Sequence, residues 1–260
     1  MRKNILAIVL LAATSWLFLP SCNSNADKNN TLQAPETTQA ETQPAAATGN
    51  AEQDDDDDDD RENNGKIKTD PAAAKDAKTA TINNLKDAFT GETTASAKYA
   101  AYSKKAKEEG FTQIALLFKA TSLSEKIHAD NHRAVLEDMG ESVPAVNPQY
   151  TVKTTKENLA DAITGESYEI STMYPEFMTA ANSADNQLAL TSLNYAYRTE
   201  QRHKPMYEQA LAAVQNNQAA TLPGQYLVCP TCGNTYDAAP PKRCRISMTP
   251  NERFIKINSL

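Results

Sequence analysis

Residues 84–92 read NLKDAFTGE and residues 158–166 read NLADAITGE, sharing seven of nine letters at a separation of 74 positions. Repetition of this kind marks a duplicated structural unit, so whatever the first copy builds the second builds again. Each copy sits in a long stretch free of internal breakers. Residues 80–109 and 111–139 are rich in Ala, Lys, Glu and Leu and are separated by the stop Glu108–Gly110; residues 155–181 and 185–217 form a second pair, separated near Asn182–Asp185. The pattern predicts four helices arranged as two hairpins. Between the hairpins, residues 140–155 read GESVPAVNPQYTVKTT. Sixteen extended residues at about 3.3 Å each can run the length of a helix pair, so a crossover connection is available.

The duplication acquires a chemical meaning when carboxylates are counted along the helices. Glu92 lies 33 residues before Glu125, with the midpoint at the first turn; Glu166 lies 34 residues before Glu200, with the midpoint at the second. Each pair therefore ends at one height on adjacent antiparallel helices, and the four carboxylates share one level of the bundle. Histidine completes the set: EKIH gives Glu125 and His128, EQRH gives Glu200 and His203, and a spacing of three puts both side chains on one helix face. Two inward Glu-x-x-His motifs plus a Glu from each of the other helices make the ligand pattern of a di-iron or di-manganese carboxylate bundle. A lone Glu on a helix is usually solvated, and a lone Glu-x-x-His arises by chance; two copies at turn-symmetric distances from a repeated Gly-Glu are far harder to obtain by accident. Five interior carboxylates, counting Glu169, would repel and desolvate badly without cations. Glu169 is where the repeat fails, because its counterpart is Ala95. Three residues after Glu166, it can offer one metal an extra carboxylate, with His128 as the competing ligand.

The flanks are of a different kind. Arg2 and Lys3 precede an apolar run, Ile5 to Leu19, that ends in LPSC, which describes a bacterial export signal over residues 1–21 with Cys22 placed for lipidation. An ordinary signal peptide or a short membrane anchor is the alternative, although the run is short for about 30 Å of hydrocarbon. Residues 22–79 are Asn, Thr, Gln, Ala, Pro and Asp, with an unbroken acidic run from Asp54 to Asp60, and read as a disordered tether extended by self-repulsion rather than a calcium or other metal site. The formal charge of −7 and the lack of a basic stripe argue against nucleic acid as a partner. With Cys22 assigned to lipid, Cys229, Cys232 and Cys244 remain, and an odd number argues against a disulfide framework. They call for a metal or a redox role.

These residues carry a resemblance. GETTASAKYAAYSKKAKEEGF, SEKIHA, GESYEISTMYPEF, EQRH, CPTCGNTYD and PNERFIKI are similar, in order and spacing, to the rubrerythrins, peroxide-reducing di-iron proteins. The resemblance implies an all-α four-helix ferritin-like bundle over residues 80–220 and a small rubredoxin-like domain over 221–260. It implies two iron ions held by Glu92, Glu125, His128, Glu166, Glu169, Glu200 and His203, with Glu169 and His128 tuning the chemistry. Tyr99 and Tyr174 become hydroxyl donors to the carboxylates, although simple core packing suits either tyrosine equally well. His132, with no matching ligand, is expected at the surface or behind the ligands. A homodimer is implied, the tail of one chain approaching the centre of the other.

The tail departs from the pattern. A rubredoxin site needs two Cys-x-x-Cys hooks for four thiolates. CPTC supplies Cys229 and Cys232, but the second hook is CRIS, with Cys244 followed by Ser247. The fourth position falls to a serine oxygen, a water or nothing; iron, zinc and an apo domain with a Cys229 to Cys232 disulfide are all compatible. The expected activity is reduction of hydrogen peroxide in oxidative-stress defence, by a protein lipid-anchored in a bacterial cell envelope on the periplasmic side or the cell surface. Electrons would come through the tail or from an external donor such as a rubredoxin or an NAD(P)H-dependent reductase. The alternatives are a ferritin-like iron-storing lipoprotein and a metal-binding lipoprotein without catalysis.

Overall fold

The computed structural model describes residues 71–237 and 239–260, all within the second of the two units into which the chain divides, Asn64–Leu260. The export signal, Cys22, the acidic run and the rest of the tether up to residue 70 lie outside the described residues. Helices α1 (Pro71–Glu108) and α2 (Thr112–Asp138) form the first hairpin. In the second, α3 (Thr155–Tyr168), a π-helical turn at Glu169–Met173 and α4 (Tyr174–Ser183) run on as one element before α5 (Gln187–Gln215). Each element stops at a residue in the left-handed region: Gly110 at φ 84°, Gly140 at 72°, Asp185 at 50° and Asn217 at 56°. The next amide then reaches back to a carbonyl of the last turn, as from Phe111 N to Ala106 O at 2.8 Å and from Glu141 N to Leu136 O at 2.9 Å. That pairing satisfies acceptors the helix end leaves exposed.

Two boundaries differ from expectation. Residues 71–79, read as tether, are helical, because Ala72, Ala73, Ala74 and Ala77 supply helix propensity where the apolar period that signals a packed helix is missing. The third helix carries the π turn, which inserts one residue and shifts the face that every later side chain presents.

The crossover is present, and its course can be read from its ties to α1. Glu141 pairs with Lys86 at 2.8 Å, and the Tyr102 hydroxyl donates to Thr151 O at 3.2 Å; these anchors are sixteen residues apart, or about 24 Å of helix. The Thr154 side chain and Glu157 then form a capping box that starts α3. Ala88, Ala106, Ala115, Ala129, Ala162, Ala196 and Ala210 are buried, and these small residues let the helices approach closely. Two apolar plugs result. One contains Tyr102, Leu117, Phe118, Leu159 and Tyr207; the other contains Leu85, Leu136, Ala181, Ala189 and Leu193. The glutamates and histidines of the metal cluster are buried between them, in a low-dielectric setting.

The tail is a three-stranded antiparallel sheet of order β2-β1-β3, from Tyr226–Val228 (β1), Thr235–Tyr236 (β2) and Ile255–Ile257 (β3). Tyr226, Val228 and Ile257 join the first apolar plug, so the sheet lies on the bundle rather than beside it. Among the described residues no helix is long and apolar enough to cross a membrane.

Candidate metal centre

The repeat closes on itself in three dimensions. His128 Nδ1 lies 2.9 Å from Glu200 Oε1, 3.0 Å from Glu125 Oε2 and 3.5 Å from Glu92 Oε1. His203 Nδ1 lies 2.7 Å from Glu200 Oε2, 3.2 Å from Glu125 Oε1 and 4.0 Å from Glu166 Oε1. Glu125 and Glu200 thus give one oxygen to each histidine, while Glu92 belongs to one half and Glu166 to the other. The six residues are buried, at most 2% exposed, and form two overlapping groups of four potential ligands.

The donor set fits two cations. Both oxygens of Glu125 and of Glu200, one oxygen each of Glu92 and Glu166, and both histidine Nδ1 atoms are buried without a hydrogen-bond partner. Buried polar atoms are normally paired, and here the unpaired ones converge. Without cations only protons can hold the cluster: burial raises Glu92 to about 7 and Glu166 well above the carboxylate range. Against the desolvation that opposes ionisation, Glu125 and Glu200 raise His203 to about 9, and Glu200 and Glu92 raise His128 well above its usual value. Oxygen and imidazole donors without thiolates suit iron or manganese.

The remaining nitrogen of each ring is tied to the tail. His128 Nε2 donates to Cys232 O at 3.1 Å, and His203 Nε2 donates to Thr235 Oγ1 at 3.1 Å. Such partners fix tautomer and ring orientation, leaving Nδ1 free to ligate. Thr199 Oγ1 also donates to Cys232 O, at 3.1 Å, and Ser124 Oγ donates to Gly233 O at 2.8 Å. A Cβ on Gly233 would come within 2.5 Å of both His128 Nε2 and Ser124 Oγ, at a φ of 77°, so the hook and the ligand histidine are in direct contact. The tail that meets this centre is that of the same chain. The short connection from α5 lets β1 fold back along α2. Nothing in the spacing marked Thr199, Ser124 or Thr235, since their role arises only when the tail docks.

The tyrosine hydroxyls donate to carboxylates of the cluster. Tyr99 donates to Glu166 Oε1 at 3.0 Å and Tyr174 donates to Glu92 Oε1, each crossing to the opposite hairpin. Tyr99 follows Glu92 by seven residues but Tyr174 follows Glu166 by eight; the extra residue of the π turn absorbs the difference. Glu169 sits on that turn, half-buried, outside both groups of four. Burial, and then the charges of Glu92, Glu200 and Glu125, hold its carboxyl well above the usual range. His132 is fully buried behind Tyr174, which excludes the surface placement.

In the tail, Cys229, Cys232 and Cys244 are free, fully buried and mutually close, with no disulfide between Cys229 and Cys232. Cys232 and Cys244 Sγ are 3.5 Å apart, and Ser247 Oγ lies 3.3 Å from Cys229 Sγ. The two hooks have one backbone design. Gly233 N donates to Cys229 O and Met248 N to Cys244 O, both at 3.0 Å, while Cys229 N and Cys244 N are bound by Asn234 O and Thr249 O. Ser247 therefore stands where Cys232 stands in the first hook, and Met248, at φ 61°, stands where Gly233 does. The donors form a three-thiol site with a serine oxygen at the fourth corner, suited to iron or zinc.

Comparison with known proteins agrees with this geometry. The rubrerythrin family matches residues 83–211, which span every member of the glutamate and histidine cluster. Nigerythrin of Nitratidesulfovibrio vulgaris is 35% identical over 185 residues, covering 70% of this chain and 89% of the relative. Rubrerythrin-2 of Clostridium acetobutylicum is 31% identical over 183 residues, covering 70% of this chain and 98% of the relative. A solved structure of nigerythrin in a mixed-valence state superposes with a TM-score of 0.61 at 33% identity, covering 68% of this chain and 86% of the other; the fully reduced, all-ferrous form gives 0.59 at 32% identity over the same shares. With its four-helix bundle, its two Glu-x-x-His motifs gathered in one buried carboxylate–imidazole cluster and its three-cysteine tail, this chain belongs to the rubrerythrin family of di-iron proteins.

Proposed function

We propose that the protein is a peroxidase that reduces hydrogen peroxide to two waters in oxidative-stress defence, held at a bacterial envelope by lipid on Cys22. The observation that carries this reading is the hydrogen bond from the ligand His128 to Cys232 O. It links the two metal-binding clusters by one imidazole and one peptide carbonyl, a connection that electron delivery uses and iron storage does not need. When bound, the iron pair supplies the two electrons that split the O–O bond. The chain's residues do the rest. Tyr99 and Tyr174 hold Glu166 and Glu92 in place, the two apolar plugs exclude water, and the half-buried Glu169 stands ready as an extra carboxylate.

Electrons are expected to enter where the tail meets α5. There a cleft of about 460 Å³, lined by Arg198, Arg202 and Arg245, reaches Asn234 and Tyr236, whose side chains donate to Cys244 Sγ at 3.8 and 3.7 Å. An acidic donor, a rubredoxin or the docking face of an NAD(P)H-dependent reductase, suits it. The homodimer is a separate proposal, since electron delivery needs only one chain.

Stopped-flow oxidation of the anaerobically iron-loaded protein tests the reading. Peroxide should oxidise the parent much faster than dioxygen does, and Glu169→Ala should keep most of its iron while losing at least about tenfold of the peroxide rate. Slow oxidation by peroxide, together with uptake of many irons per chain, would point to storage instead.

A further inference from the structure

The two halves of the centre differ behind the tyrosines. His132 and Tyr207 are counterparts in the duplication, each four residues after its ligand histidine. In the Glu166 half, Tyr207 donates to Thr121 Oγ1 at 2.6 Å, and Thr121 donates to Leu117 O at 3.2 Å. That line of hydroxyls ends on a backbone carbonyl. In the Glu92 half, His132 Nε2 lies 3.4 Å from the Tyr174 hydroxyl, and His132 Nδ1 lies 2.8 Å from Ser192 Oγ.

The donors in this second line can be assigned. Tyr174 has one hydroxyl proton and gives it to Glu92 Oε1, so towards His132 it can only accept. His132 must then carry its proton on Nε2, which leaves Nδ1 as an acceptor for the Ser192 hydroxyl. All three hydrogen bonds point the same way. His132 and Tyr174 are fully buried and Ser192 is 5% exposed, so Ser192 is the least enclosed member of the line. Burial first, and then the charge of His128, lowers His132 to about 3, consistent with a neutral ring.

We propose that Ser192, His132 and Tyr174 form a proton relay into Glu92, serving one half of the di-iron centre only. This rests on the peroxidase reading, in which each peroxide consumes two protons as well as two electrons. For each proton delivered, the Tyr174 O–H bond breaks as one forms on Glu92 Oε1, and Glu92 then gives that proton to a peroxide oxygen and returns to its carboxylate. The Nε2 proton of His132 moves to the Tyr174 oxygen, the Ser192 proton moves to Nδ1, and water reprotonates Ser192. No electrons move along the line. His132 is left with its proton on Nδ1, and the starting tautomer is restored by proton exchange with water. Tyr174 touches a ligand directly; His132 and Ser192 act through it.

The test has two arms. In the first, iron-loaded parent, His132→Gln, His132→Phe and Ser192→Ala are oxidised by peroxide in H2O and in D2O. Glutamine can still donate to Tyr174 but cannot pass a proton on. The relay predicts that both His132 variants lose about tenfold or more in rate and show a changed solvent isotope effect, with a smaller loss for Ser192→Ala. A parent-like rate and isotope effect in His132→Gln, beside a slow His132→Phe, would leave His132 a packing residue and overturn the proposal. The second arm needs no turnover: nitrogen-15 spectra of the zinc-loaded parent should show His132 protonated on Nε2, and a proton on Nδ1 would reverse the line and also overturn it. If the parent itself fails to react with peroxide, the peroxidase reading fails, while the spectra still decide the direction of the hydrogen bonds.

Discussion

The bundle cluster and the tail cluster hold their donors by different means. In the tail, two hooks are shaped by amide hydrogen bonds from Gly233 and Met248 to cysteine carbonyls, and the shape persists although the fourth donor is Ser247. In the bundle, the donors are themselves the interior: four carboxylates and two imidazoles whose Nδ1 atoms and most carboxylate oxygens have no hydrogen-bond partner in the protein. A site framed by backbone can drift in its ligands and keep its geometry. A site framed by buried charge cannot, because removing one member leaves the others unbalanced.

The sharpest way to break this contrast is to remove Glu200, which faces both histidines. Glu200→Ala should abolish binding of both irons and destabilise the fold by about 3–5 kcal/mol, the usual cost of stranding a buried charge; metal analysis and thermal unfolding would show it. Retention of two irons would mean that the bundle tolerates drift as the tail does. A medium effect concerns pH. In the metal-free protein Glu92 is raised to about 7 and His203 to about 9, so both hold protons in the fold that they release when unfolded. Their contribution to stability is fully present below their unfolded values, near 4.5 and 6.5, and is lost as pH rises through 7 and 9. The melting temperature of metal-free protein should fall between pH 5 and 9, and iron loading should flatten that slope.

In the tail the effects should be smaller. Ser247→Cys should raise iron occupancy and give the visible bands of a four-thiolate site, with little change in the melting temperature of the bundle. Met248→Gly should stabilise the tail by about 1 kcal/mol, because a side chain at φ 61° bears the left-handed penalty that glycine avoids. No gain on unfolding would imply that the Met248 side chain offsets the strain by packing.

Much of the bundle was legible because its information is periodic. The distances between Glu92, Glu125, Glu166 and Glu200 encode turn positions, and the two Glu-x-x-His motifs encode a helix face, so counting suffices. The start of α1 was not legible, since residues 71–79 follow propensity and carry no apolar stripe. The π turn left a trace in the offset of Tyr174 by one residue, but a single residue in one helix has no period to stand out against. The docking of the tail on its own centre, and the burial of His132 beside Ser192, depend on contacts between segments far apart in the chain. No local pattern encodes those.

The sharing of Glu125 and Glu200 between both halves has a thermodynamic consequence for loading. The first cation must displace protons from carboxylates and imidazoles that belong to both halves, so most of the deprotonation is done on its arrival. The second finds its oxygens already ionised and its histidine already turned by the tail. Half-loaded protein should therefore be scarce at equilibrium, and a titration with metal should be sigmoidal, passing from empty to paired with little between.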